Sequence, residues 1–144
     1  MNASVHRAGV TVASLLVALM ATPALAEEAR ATAWQAAITG QIQAFREGDA
    51  PAAFSYAAAG FQQGFSSPTL FYSSIIGSGY APIRESRSHS FGPYQEVSED
   101  RVLQAVRLVG TNQQLYEAVY QLGQEEDGWK VMGVQLRPQP GIGI

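Results

Sequence analysis

The chain holds few residues able to do chemistry, and their spacing narrows the choice further. It has two histidines, His6 and His89, and no cysteine. One histidine beyond the N-terminal segment, among scattered carboxylates, gives no zinc-type ligand set. Glu125-Glu126-Asp127 would attract a hard cation, but a Ca²⁺ site needs several oxygens arranged around the ion. That run ends in Asp127-Gly128 and reads as a solvated hairpin loop. No metal and no cofactor is expected. Nucleophilic catalysis lacks both a cysteine and a Gly-x-Ser-x-Gly elbow. Serines such as Ser66, Ser67, Ser73 and Ser88 read as caps and surface residues. Gly77-Ser78-Gly79 and Gly141-Ile142-Gly143 lack the strand–turn–helix setting of a phosphate-cradling loop.

General acid–base chemistry is the enzymatic route with some content. A carboxylate facing an apolar pocket has a raised pKa and shuttles protons. Glu117 would serve if it pointed inward, and His89 would serve near neutral pH. Each has a plainer reading. His89 lies in Ser88-His89-Ser90 and reads as exposed, and Glu117 reads as an outward sheet residue opposite Arg107. Tyr116 and Tyr120 share a strand face and would pack with their hydroxyls at its edge. An aromatic set of Trp34, Phe45, Phe54, Phe71, Tyr116, Tyr120 and Trp129 would line a ligand pocket, or equally fill an ordinary core.

The elements that must position these groups fall into two halves. Arg101–Val109, Gln114–Leu122 and Trp129–Leu136 read as three strands. In the first, Val102, Gln104, Val106 and Leu108 share one face, because successive side chains alternate. Short polar links between the three favour an antiparallel meander. Arg87–Val97 reads as a preceding strand, interrupted at Gly92-Pro93 by a bulge or an edge.

Ahead of the strands lies helical cover. Glu27–Arg46 carries Trp34, Ile38, Ile42 and Phe45 at helical spacing, with Gln35, Gln41, Gln43 and Glu47 falling largely elsewhere. Gly40 would permit close approach of another element. Gly48 fits the stop, and Asp49 with Pro51 fits the next start, over Ala50–Ala58. Phe61–Phe65 reads as a link. Ser67-Pro68 opens a third helix to about Ile76, stopped by Gly77-Ser78-Gly79. Tyr80-Ala81-Pro82-Ile83 reads as an extended connector. Three helices followed by about four strands indicate α+β with a curved antiparallel sheet and the long helix packed across its concave side.

Composition and the first segment set bounds. A positive start through Arg7, an apolar run from Ala8 to about Met20 and Ala24-Leu25-Ala26 fit a cleaved export signal over residues 1–26. The run is short for a membrane span, so no stable anchor is expected after cleavage. Residues 27–137 then form one domain, with a flexible tail at 138–144, and the product is periplasmic or secreted. Without cysteine no disulfide can brace it, so packing must. The formal net charge is −3, and no basic patch is interleaved with aromatics, which argues against nucleic acid.

Three blocks carry a resemblance. They are Gln41–Asp49 with Ala53–Ala57; Phe65–Pro68, Phe71 and Gly79–Pro82; and Tyr120–Leu122 with Asp127–Val134. In order and spacing the chain resembles a family of small exported bacterial proteins known as domain of unknown function 4864. That family is similar in plan to the nuclear-transport-factor-2-like superfamily. The resemblance implies a cone-shaped α+β fold with a pocket between helices and sheet, and it carries no catalytic residues over. The leading expectation is a non-catalytic module for a small apolar ligand or a protein partner. The alternatives are a cofactor-free isomerase or dehydratase using an inward Glu117 or His89, and a homodimer formed through the sheet face, at Val106 or Val119.

Overall fold

The computed structural model describes residues 22–140, together with Gly9 and Ala13. Most of the expected export signal therefore lies outside the described residues. Helices come first and an antiparallel sheet follows, as the segregated pattern requires. Helix α1 spans Pro23–Glu47, and α2, α3 and α4 span Ala50–Ser55, Ala59–Gly64 and Pro68–Ile75. A wide π-helical turn over Ile76–Tyr80 leads into α5, Ala81–Glu85. Strands β1 (Ser88–Ser98), β2 (Arg101–Val109), β3 (Leu115–Glu125) and β4 (Gly128–Pro138) pair in sequence order.

Local chemistry explains the helix ends. Ser67 Oγ accepts from Leu70 N at 3.2 Å and Asp49 Oδ1 from Ala52 N at 3.1 Å, with Pro68 and Pro51 in the first turns behind them. Such side-chain acceptors satisfy N–H groups that the helix itself cannot. Gly48 closes α1 in the left-handed conformation, at φ 69°. Helix α1 begins at Pro23, so the expected cleavage site lies in its first turn.

Three helical expectations need correction. The second helix ends at Ser55, and the chain crosses to the sheet before α3 forms over residues that include most of the expected Phe61–Phe65 link. Tyr56 O accepts from Val131 N at 2.8 Å and Val131 O accepts from Ala58 N at 2.9 Å. These bonds along β4 outbid continuation of α2. The third correction is Tyr80–Ile83, which is helical and not extended. Gly79 takes φ 102° and breaks the chain direction, so Pro82 falls in the first turn of a new helix, where its missing N–H costs nothing.

The sheet registers follow the expected alternation. Val102, Gln104, Val106 and Leu108 of β2 are all buried, as are Ala118, Tyr120 and Leu122 of β3. They meet Trp34, Ile38 and Ile42 of α1, which are fully buried too. Val106 thus belongs to the helix-covered face, and of the two residues expected at a sheet-face contact only Val119 lies on the opposite one. The β1 register slips between Phe91 and Tyr94, which puts the bulge at Gly92-Pro93, and β1 is an edge strand. A slip in β4, opposite Gln121 and Leu122, lets Val131 and Val134 both turn inward. The chain stays tied beyond Arg137: Gln139 N donates to Leu115 O at 2.9 Å.

A buried glutamine joins helix to sheet. Gln104 Oε1 accepts from Trp34 Nε1 at 2.8 Å, and its Nε2 donates to Gly92 O and Ala105 O, each at 2.9 Å. Every polar group of that side chain is therefore satisfied in the core, as burial demands. Trp34 also meets Tyr94 and Trp129 edge-on, with ring centroids 5.0 and 5.4 Å away.

Candidate functional site

A cavity of about 290 Å³ lies between helices and sheet. Helix α1 supplies Gln41 and Phe45, and the chain crossing to the sheet supplies Ala57 and Phe61. Phe71, Ile75, Ser78, Tyr80 and Ile83 form a strap along another side, and Val131, Gly133 and Val134 of β4 form the floor. Local sequence dictates each wall. The β4 bulge brings two valines to one side, and the Gly79 break folds the strap back so that Tyr80 and Ile83 reach inward.

The walls are apolar, and their polar groups are largely spent on the protein. Tyr80 OH donates to Val134 O at 2.7 Å, spanning strap and floor. Ser78 Oγ donates to Ser74 O at 2.6 Å. Gln41 Nε2 donates to Ala53 O at 3.1 Å. Among the described residues that line the cavity there is no carboxylate, histidine, lysine or arginine. Such walls desolvate a ligand and hold it by shape.

Of the expected pocket set, Phe45 and Phe71 line the cavity. Phe54 stands behind the wall, its ring 5.1 Å from that of Phe71. Trp34, Tyr120 and Trp129 are core residues, and Tyr116 packs over Gly110 at the other end of β3. Burial drives the Tyr120 hydroxyl far above its usual pKa, and the nearby Arg46 charge offsets this only in part.

The two acid–base candidates lie apart from the cavity and from each other. Glu117 sits on the face turned away from the helices, opposite Arg107 and Arg137 in register, with Oε2 accepting from Gln139 Nε2 at 2.7 Å. The inward Glu117 is therefore corrected: Tyr116, Ala118 and Tyr120 hold the inward phase of β3, and alternation sends Glu117 outward. His89 points inward and is half-buried, where exposure was the plainer expectation. Its Nδ1 lies 3.3 Å from Arg46 Nη2, and its Nε2 lies 3.0 Å from Thr39 Oγ1. A guanidinium only donates, so Nδ1 accepts and Nε2 carries the proton toward Thr39. Burial, and then the Arg46 charge, hold the His89 pKa below its ordinary value. Arg46 also donates to Ser86 Oγ, at 3.0 and 3.2 Å. This cluster clamps α1, α5 and β1 together.

Sequence reasoning missed Gln41, Phe61, Ile75, Tyr80 and Ile83 as lining residues. Gln41 had a signal: it is seven residues after Trp34 and three after Ile38, which puts it on the same helical face. Tyr80 and Ile83 had none while the strap was read as extended. Among the described residues no group of three metal-ligating side chains comes together, and no helix is long and apolar enough to cross a membrane.

The fold defines a class, an α+β domain in which helices cover one face of a four-stranded antiparallel sheet over an apolar cavity. A family model described as "Domain of unknown function (DUF4864)" matches residues 27–144, and the chain belongs to that family. No curated protein and no solved structure matches the chain.

Proposed function

We propose that the chain is a binding module for a small apolar ligand, held in the cavity between α1, the strap and β4. One observation carries this reading: the cavity walls are largely apolar, and no carboxylate, histidine, lysine or arginine is among the described residues that line them. At about 290 Å³ the space exceeds the roughly 150 Å³ apolar cavity that admits benzene. An apolar ligand gains by leaving water, and the preformed walls add little ordering cost. The helix-over-sheet plan with a cavity between its layers also supports reading the fold as a nuclear-transport-factor-2-like cone.

The test is native mass spectrometry of protein released gently from cells, followed by titration with the uncharged fluorophore N-phenyl-1-naphthylamine. A retained mass, and fluorescence that Ile75→Trp abolishes while leaving the far-UV circular dichroism intact, support the reading. Protein that flies bare and leaves the fluorophore dark sinks it.

Export belongs to the same proposal. The segment through Ala26 supports cleavage there and release to the periplasm or medium. Fractionation with N-terminal sequencing decides: a cytoplasmic product that retains residues before Glu27 refutes it.

A further inference from the structure

We propose that the ligand carries a hydrogen-bond donor, a hydroxyl or N–H on an otherwise apolar body, and that the side-chain oxygen of Gln41 receives it. This rests on the cavity-binding reading and adds a specificity to it. Gln41 is 4% exposed and lines the cavity. One N–H of its amide donates to Ala53 O at 3.1 Å, which also fixes which end of the amide is which. The oxygen at the other end accepts no bond from any described residue. Among the described residues no fully buried side-chain oxygen or nitrogen lacks a partner. The Gln41 oxygen must therefore border open space, and the open space at Gln41 is the cavity.

The other lining side-chain oxygens compete poorly. Ser78 is exposed, so water serves it without loss. The Tyr80 oxygen is phenolic and already engaged as a donor to Val134 O. An amide oxygen is the stronger acceptor, and the one most isolated from bulk water. A wholly apolar ligand would strip water from it and return nothing, which is the costly outcome for a buried acceptor. A ligand with a donor replaces that water bond.

Three probes of one shape test this on the intact protein: 2-naphthol, 2-methylnaphthalene and 2-methoxynaphthalene, which offer a donor, neither group and an acceptor only. The expected result is 2-naphthol binding about tenfold more tightly than either of the others. Gln41→Met, similar in length but without the oxygen, brings 2-naphthol down to the level of 2-methylnaphthalene. That variant also removes the bond to Ala53 O, so a second readout leaves the side chain in place. The Gln41 side-chain amide resonances shift on adding 2-naphthol and stay put on adding 2-methylnaphthalene at equal occupancy. Equal affinities for the three, or tighter binding of the methoxy compound, overturn the donor requirement while leaving cavity binding intact. Failure of all three to bind overturns the cavity reading and this inference with it.

Discussion

The Tyr56 ring lies over Gly40 so closely that a Cβ on Gly40 would sit 2.4 Å from its Cζ and hydroxyl oxygen. No real side chain occupies such a position without displacing its neighbour. Gly40 costs α1 some stability as a helix residue, and in exchange Tyr56 can pass across the helix and deliver its carbonyl to β4. Gly40→Ala should therefore lose about 1–3 kcal/mol by overpacking, despite alanine's better helix propensity. Urea unfolding decides it, and a variant as stable as the parent would show that Tyr56 moves aside freely.

Gln104→Leu should destabilise the core. It leaves the Trp34 N–H without a partner in the core. One orphaned buried donor predicts a loss of about 1–3 kcal/mol. Near-parental stability would mean that water enters to replace the amide. A lost tryptophan-specific near-UV signal would accompany the expected outcome.

Phe71 is the hub of the ring cluster, with Phe54, Phe65, Phe61 and Phe45 centred 5.1, 5.6, 6.0 and 6.2 Å away. Phe71→Ala removes one wall of the cavity and should cost about 3–5 kcal/mol. The chemical-denaturation midpoint measures this, and a loss under about 1 kcal/mol would show that the strap collapses inward to fill the gap.

His89 predicts a pH dependence of known sign. Its folded pKa lies below the unfolded value, so the unfolded chain binds the extra proton first on acidification. The stability from the neutral ring is complete above about pH 6.5 and falls as pH drops through the folded pKa. Urea midpoints compared at about pH 7.5 and 5.5 should fall for the parent and fall less for His89→Gln. A parallel decline in both would assign the effect to other groups.

Tyr80→Phe removes the bond from strap to floor and leaves the ring. Hydrogen exchange over Ile76–Tyr80 should quicken several-fold, consistent with a net bond of about 0.5–1.5 kcal/mol, while β2 and β3 stay unchanged. Unchanged exchange in the strap would show that Ile83 burial alone holds it down.

How much of the molecule is legible in its sequence depends on whether a neighbour along the chain or a distant one in space decides the conformation. The bounds and alternation of β2 are legible to the residue, because Arg101–Val109 alternates without a break, but which face turns inward is not, since Val106, offered as a sheet-face contact, lies under the helices. The caps at Asp49 and Ser67 act within three residues and are equally plain. The strap is not. Gly77-Ser78-Gly79 signals a break, but the path beyond a break is set by the elements the chain meets, here α1 and β4. The break in α2 likewise comes from bonds to Val131, far along the sequence. The cavity suffers most. Its walls come from the strap, from Gln41 and from a β4 bulge, so an aromatic inventory recovers Phe45 and Phe71 and places the core residues Trp34 and Tyr120 beside them.

The bonds between Tyr56–Ala58 and Val131 have a consequence for the molecule in a crowd. A four-stranded open sheet has two borders, each a row of backbone groups that would welcome a strand from another molecule. On the β4 side, Tyr56 and Ala58 already occupy Val131, and the Tyr80 hydroxyl takes Val134 O. On the β1 side, Pro93 has no N–H to give and the bulge beside it throws the row out of step. With no disulfide to hold the fold shut, these two local devices guard the chain against strand addition and aggregation. The segment that shapes one wall of the cavity thus also covers part of the sheet's β4 border.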